Sequence, residues 1–285
     1  MKRAAIVAAL AATLVPVAAS AAGKPAVPLF RHVMVVVFEN RERGAIAGSS
    51  AAPTFAALAR RYATLTRYAA VAHPSLPNYL ALVSGSTQGI TDDCTDCVVD
   101  APSLADSLAA AGRTWKTYAE GLPSAGSTAA FAGRYAKKHV PFLYFRNVLN
   151  RPAWLNRVVP YGRLAADVHA RRLPDFALVV PDLCHDMHDC SVQTGDGWLK
   201  TNIVPLLSSP ALARSVVFVV FDEGTSASGG GGNVVALAAG PAVRPGSTFT
   251  QPTSHYGLLR TVEQAWGLPL LGRSAQAAPI TGIWR

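Results

Sequence analysis

The residues able to do chemistry fall in five clusters. They are Glu39-Asn40, His73-Pro-Ser75-Leu-Pro-Asn78-Tyr79, Asp182 followed by Cys184-His185-Asp186-Met187-His188-Asp189-Cys190, Asp222-Glu223, and His255 between Ser254 and Tyr256. Three of the acidic groups directly follow unbroken apolar runs, at 32–38, 176–181 and 215–221. Carboxylates gathered at one place repel and raise one another's pKa, and a divalent cation removes the conflict. Glu39, Asn40, Asp222 and Glu223 offer oxygen ligands suited to a hard or borderline metal. Asp182, His185, Asp186, His188 and His255 offer a mixed oxygen and nitrogen set for a second ion. One or two divalent ions are therefore expected, with their identity open among Mg, Ca, Mn, Fe and Zn.

Ser75 stands between Pro74 and Pro77, which fix the backbone and present the hydroxyl at a helix start. Such a position favours negative charge, an alkoxide or a phosphate. A metal beside Ser75 would lower its hydroxyl pKa and make it a nucleophile. Asn78 would donate its amide to a phosphoryl oxygen. Taken alone, Ser75 reads equally as a cap in a proline-rich turn.

The elements that must position these groups alternate between strands and helices. The three apolar runs read as buried strands, with further strands at 114–119 and 234–239. Helical spacing covers 53–68, 75–84, 103–111, 161–172, 198–207 and 255–266. This alternation predicts an α/β fold, a three-layer α/β/α sandwich around a mostly parallel sheet. Ligands of such sheets bind at the carboxyl ends of the strands, where the acidic groups lie. The run Gly229–Gly232 reads as a flexible loop beside the site. It lacks the Lys-Ser/Thr and helix of a phosphate-cradling loop.

The chain has 285 residues, 50% hydrophobic and 15% charged, enough for a large core and against disorder. Lys2-Arg3, an apolar stretch and Ala19-Ser-Ala21 read as a signal peptide over residues 1–21, followed by one domain at 22–285. Export, periplasmic or secreted, follows after cleavage near Ala21. Removing Lys2 and Arg3 leaves 24 basic against 17 acidic side chains, a net of +7. No long basic run occurs, so nucleic acid is not an expected partner, and no stable membrane span is expected. A mild positive field would attract anionic substrates such as phosphate esters. In an exported protein, Cys94/Cys97 and Cys184/Cys190 read as two local disulfides, with a zinc site as the alternative.

Taken in order, Glu39-Asn40, Ser75 within HPSLPNY, PDLCHDMHD, FDEG and Ser254-His255-Tyr256 resemble the bacterial acid phosphatase and phospholipase C type phosphoesterases. The resemblance runs from about His32 to Gly267, and more broadly to the alkaline phosphatase superfamily. It implies that Glu39, Asn40, Asp222 and Glu223 bind metal and that Ser75 is the metal-bound nucleophile. Leu76-Pro-Asn78-Tyr79 is similar to the segment after the nucleophile of nucleotide pyrophosphatases, which implies phosphoryl contact by Asn78. Asp182, Asp186 and His255 fall at the superfamily's second metal site, although Asp186 stands where a His is usual. The nearer family's use of a single metal implies the alternative that His185 and His255 are acid/base or phosphate-binding groups instead. Lys137-Lys-His139-Val-Pro resembles a K-H-x-P stretch that implies His139 faces the site.

The expected activity is metal-dependent hydrolysis of phosphomonoesters through a phosphoserine. His185, His139 or His255 protonates the leaving oxygen. The alternatives are a phosphodiesterase of the phospholipase C kind, with Pro141–Phe145 as an apolar lip, and a non-catalytic exported metal-binding protein. A sulfatase is disfavoured because the C/S-x-P-x-R pattern is missing.

Overall fold

The computed structural model describes Met1 and residues 25–285, so the segment read as a leader lies outside the described residues. Eight strands form one sheet: β1 Val33–Phe38, β2 Ala63–Leu65, β3 Trp115–Ala119, β4 Val158–Pro160, β5 Phe176–Val180, β6 Val216–Phe221, β7 Ala236–Ala239 and β8 Thr248–Phe249. Their order across the sheet is β8-β2-β7-β6-β1-β5-β3-β4. The block β6-β1-β5-β3-β4 is parallel throughout, and β7 runs antiparallel to β6 and β2. The three apolar runs supply the three central parallel strands, which are buried along their whole length. A strand covered on both faces needs apolar residues at every position, which is why these runs do not alternate.

Register places the acidic clusters together. Phe38 pairs with Phe221, and Val36 with Val179, so the three central strands end at one edge. There the Glu39 amide donates to the Asp186 carbonyl at 2.8 Å and the Asp222 amide to the Phe38 carbonyl at 2.9 Å.

The principal helices are α1 Pro53–Arg61, α2 Ser75–Ser84, α3 Leu104–Ala110, α4 Arg163–His169, α5 Val192–Asn202 and α6 His255–Trp266. Together with the sheet they make the expected three-layer α/β/α arrangement. Helix α1 packs on α5, and α2 on α6. Phe55 of α1 meets Phe38 and Phe221 with ring centroids 5.2 and 5.6 Å apart, and Trp198 of α5 meets Phe38 at 6.1 Å. The end of α2 crosses the C-terminal segment so closely that a Cβ on Gly85, at φ +69°, would overlap the Leu271 carbonyl.

Several boundaries differ from the sequence expectation. The helix expected over 53–68 stops at Arg61, because Ala63–Leu65 is taken up by the ladder with β7. Helix α5 starts at Val192 rather than Trp198, because Ser191 caps it by accepting from the Thr194 amide at 3.2 Å. Gly195 inside α5 is needed there, since a Cβ would lie 2.8 Å from the His185 carbonyl of the adjoining loop. Strand β4 was not anticipated; its three residues pair on one side only, at the sheet edge. The Pro141–Phe145 segment is wholly buried and supplies core, not a lip.

Candidate active site

Helix α2 begins against the carboxyl edge of the sheet, and Ser75 is its first residue. The Ser75 Oγ lies 3.0 Å from Glu39 Oε2 and 3.4 Å from Glu223 Oε1. The Tyr79 hydroxyl, one turn along the same helix face, donates to Glu39 Oε1 at 2.5 Å. Asn40 has φ +54° and turns the chain so that its amide donates to Asp222 Oδ1 at 3.1 Å. His139 lies between two of these acids, its Nε2 3.3 Å from Glu39 Oε1 and its Nδ1 3.3 Å from Asp186 Oδ2. Glu39, Ser75, Asp186, Asp222, Glu223 and His139 thus form one buried constellation.

The electrostatics of this constellation are unfavourable as it stands. Burial, with Asp222 and Asp186 nearby, pushes the Glu39 carboxyl well above the usual carboxylate range. Burial raises Asp186 to about 9 and, with Glu223 beside it, Asp222 to about 7. Burial and the neighbouring Lys138 depress His139. Asp222 Oδ2, Asp186 Oδ2 and His139 Nε2 are buried without a hydrogen-bond partner. Acceptors left orphaned in a desolvated site are expensive, and buried oxygens without donors suit a small cation. The residues present fit a divalent ion, which Glu39, Ser75, Asp186, Asp222 and Glu223 would hold, with Asn40 at its margin.

Of the second set proposed from sequence, Asp182 and His185 come together, with Glu120, in a group whose ligand atoms lie within 4.8 Å of one another and could hold a metal ion, whereas Asp186, His188 and His255 lie elsewhere. Asp182 Oδ1 accepts from the Cys184 and His185 amides at 3.0 and 2.9 Å. The His185 Nδ1 sits 2.9 Å from Glu120 Oε2, forming a half-buried Glu120/Asp182/His185 group one strand further along the edge. Asp186 points the other way, to His139. His255 is sealed behind the site, its Nε2 2.6 Å from the Asp222 carbonyl and its Nδ1 3.0 Å from the Tyr68 hydroxyl. Both ring nitrogens are engaged, and burial lowers its pKa to about 4. In these contacts it supports the Asp222 backbone. Asn78 is likewise occupied. Its Oδ1 accepts from the Val71 and Ala72 amides, and its Nδ2 donates to the Ala72 and Pro74 carbonyls. Through these bonds it holds the loop that delivers Ser75.

Three residues emerge that the sequence reading gave no role, Lys138, Asp93 and His73, and a fourth, His188, read there as part of a second metal set, joins the first site. His188 lies beside Glu39 and His139, the ligand atoms of all three within 4.8 Å of one another. Lys138 Nζ is 3.3 Å from His188 Nε2 and 2.8 Å from Asp93 Oδ2. Asp93 also accepts from the Leu76 amide at 2.9 Å, tying the first cysteine loop to the start of α2. His73 bridges Glu223 Oε2 at 2.5 Å and the Ser226 carbonyl at 3.0 Å. His73 and His188 both stand inside motifs already singled out, so the missing signal was direction, not presence.

The cysteines form two disulfides, Cys94–Cys97 and Cys184–Cys190, and no free cysteine remains among the described residues. This removes the zinc alternative. The second disulfide closes the loop bearing His185, Asp186 and His188, which the Arg41 guanidinium also fastens through the Met187 and Cys190 carbonyls at 2.8 and 3.0 Å. The glycine run is packed, not loose: a Cβ on Gly230 or Gly231 would collide with the Val71 or Ala72 carbonyl.

Comparison with known proteins shows the family and the fold. The chain is 39% identical over 262 residues to the phosphatidylinositol-3-phosphatase of Mycobacterium tuberculosis, covering 91% of this chain and 84% of that protein. It is 30% identical over 256 residues to a probable acid phosphatase of Kluyveromyces lactis, of which it spans only 60%. Among solved structures, a protein of the alkaline phosphatase superfamily from Vibrio parahaemolyticus superposes with a TM-score of 0.58 at 15% identity, over 87% of this chain and 70% of that one. Murine ectonucleotide pyrophosphatase/phosphodiesterase 5 superposes with a TM-score of 0.56 at 13% identity, over 85% and 96%. The description "Phosphoesterase family" matches residues 48–269, and the chain belongs to that family.

Proposed function

We propose that this protein is an exported, divalent-metal-dependent phosphomonoesterase that works through Ser75. One observation carries the reading: a nucleophile-type hydroxyl between two glutamates, at a buried edge where two aspartate oxygens have no donor. The bound ion would stabilise charge on the phosphoryl oxygens and acidify the Ser75 hydroxyl. Glu39 stands at hydrogen-bond distance to accept the Ser75 proton as the oxygen attacks phosphorus. The Oγ–P bond forms as the bond to the leaving oxygen breaks, giving phosphoserine. His188, beside Glu39 and with Lys138 at 3.3 Å, would protonate the leaving oxygen, in preference to His185, His139 or His255. Water then attacks phosphoserine, returning the Ser75 hydroxyl and releasing phosphate.

The relatives are named phosphatases, which supports the monoester over the diester reading. The leader pattern and the two disulfides support export. Helices long and apolar enough to cross a membrane are absent among the described residues.

The test uses residues 22–285 with p-nitrophenyl phosphate and bis-p-nitrophenyl phosphate, with and without chelator, beside Ser75→Ala. Monoester turnover that needs both metal and Ser75 is expected. Preference for the diester would move the assignment to a phosphodiesterase. Metal uptake without turnover of either ester would leave a binding protein.

A further inference from the structure

We propose that Glu42 is a positioning residue for this site, acting through the glycine-rich segment 224–233 on His73 and Glu223. It rests on the reading of Glu223 as a ligand of the ion. Glu42 lies three residues beyond Glu39, outside the buried constellation. Its Oε2 accepts from the Thr225 and Ser226 amides at 2.9 and 3.2 Å, and its Oε1 from the Ser226 hydroxyl and the Asn233 amide at 3.1 and 2.9 Å. The Arg43 amide returns a bond to the Asn233 carbonyl at 2.7 Å. Among the described residues Glu42 has no Lys, Arg or His partner within ion-pair distance, so its carboxylate is given over to this segment.

The far side of the segment meets the chemistry. The Ser226 carbonyl, one residue beyond the first clamped amide, accepts from His73 Nε2 at 3.0 Å. A carbonyl cannot donate, so this contact fixes the ring with a proton on Nε2 and aims Nδ1 at Glu223 Oε2, 2.5 Å away. The other oxygen of Glu223 is 3.4 Å from the Ser75 hydroxyl. Glu42 thus sets the Ser226 carbonyl, that carbonyl orients His73, and His73 orients Glu223. A four-fold acceptor such as Glu42 cannot be replaced by an amide without turning an N–H₂ toward backbone N–H groups.

The decisive comparison is of wild type, Glu42→Gln and Glu42→Asp in chelator-treated protein of residues 22–285. Three quantities are read: amide hydrogen exchange in 224–233, calorimetric affinity for Mn²⁺, and p-nitrophenyl phosphate turnover at saturating Mn²⁺. For Glu42→Gln we expect faster exchange at Thr225, Ser226 and Asn233, a roughly 10- to 100-fold weaker Mn²⁺ affinity, and a lower kcat with KM little changed. Glu42→Asp, which keeps the acceptor charge, restores part of both. Faster exchange with wild-type Mn²⁺ affinity and kcat would overturn the proposal, because Glu42 would then only fold the loop. Wild-type exchange in Glu42→Gln would overturn it as well, by removing the clamp. A wild-type protein that takes up no Mn²⁺ would instead defeat the metal reading, and the Glu42 proposal would then stand or fall on exchange and kcat alone.

Discussion

Asp196 and Asp222 are both buried carboxylates, 4% and 1% exposed, yet their surroundings are opposite. Asp196 reaches from α5 to the start of α1 and accepts from the Thr54 and Phe55 amides at 2.9 and 3.1 Å. Asp222 has the Asn40 amide on one oxygen and no donor on the other. The same contrast separates Asp167 from Asp186. Burial would raise Asp167, but Lys116 Nζ at 2.5 Å and the Tyr118 hydroxyl at 2.7 Å outweigh it and hold it below the usual range. Burial raises Asp186 to about 9. Carboxylates that serve the fold come with donors from the chain itself. Those at the sheet edge have some donors, but they crowd neighbours of the same sign and leave Asp222 Oδ2 and Asp186 Oδ2 without one, an arrangement that a cation from solution would complete.

The sharpest separation of the two kinds is Ser75→Ala. Turnover should fall by about 10⁴-fold or more, with the thermal midpoint unchanged, because the hydroxyl serves chemistry and not packing. A midpoint that dropped with activity would place Ser75 among the structural groups. Asp222→Asn comes next. In chelator-treated protein it should raise the midpoint, since it removes a desolvated like charge. With Mn²⁺ present it should weaken binding by roughly 100-fold or more and abolish most turnover. Loss of stability in the metal-free protein would break the comparison at its centre.

His188→Ala should lower turnover of p-nitrophenyl phosphate only slightly, and that of an alkyl phosphate by roughly 100-fold, because only the poorer leaving group needs a proton. Equal losses on both substrates would count against His188 as the donor. Asp196→Ala is the mirror experiment. It leaves two buried amides of α1 without an acceptor and should destabilise by roughly 2–3 kcal/mol in urea unfolding, with kcat per folded molecule unchanged.

The contrast also explains what the sequence made legible. Unbroken apolar runs ending in acids declare buried parallel strands and a shared edge, so Glu39, Asp222, Glu223 and Ser75 could be found by reading. Direction within the 184–190 loop could not. His185 and His188 stand three residues apart, and which one approaches Glu39 depends on a turn with Met187 at φ +80°, fixed by a disulfide and by Arg41. Glu120 followed a readable strand, but strand order decides that it neighbours Asp182, and order is a property of the assembled sheet. Glu42 and Asp196 act on backbone amides far along the chain, and amides have no residue type to recognise. The partners of His255, the Tyr68 hydroxyl and the Asp222 carbonyl, were hidden for the same reason: neither follows from its place in the motif order.

Glu263 tests whether burial alone, without clustering, is enough to perturb a carboxyl. It is fully buried in α6, away from the sheet edge, and accepts from the Leu271 amide at 2.9 Å and the Ser274 hydroxyl at 2.6 Å. Burial nonetheless outweighs these bonds and the attraction of Arg260, raising its pKa to about 7. The sign follows directly. Below the ordinary value of 4.5 the group is protonated in both states, so burial carries no charge penalty. As pH rises from there through about 7, the unfolded chain releases the proton first, and the folded state loses stability. Glu263→Gln removes that slope, so the difference between variant and wild type should change by about 1–2 kcal/mol between pH 5 and pH 7. Metal-free protein is used for both, so that the edge carboxylates contribute equally and cancel. Parallel pH profiles would mean that two good hydrogen bonds suffice to keep a buried carboxylate charged. The high pKa values at the sheet edge would then reflect clustering rather than burial, and the case for a cation there would become stronger.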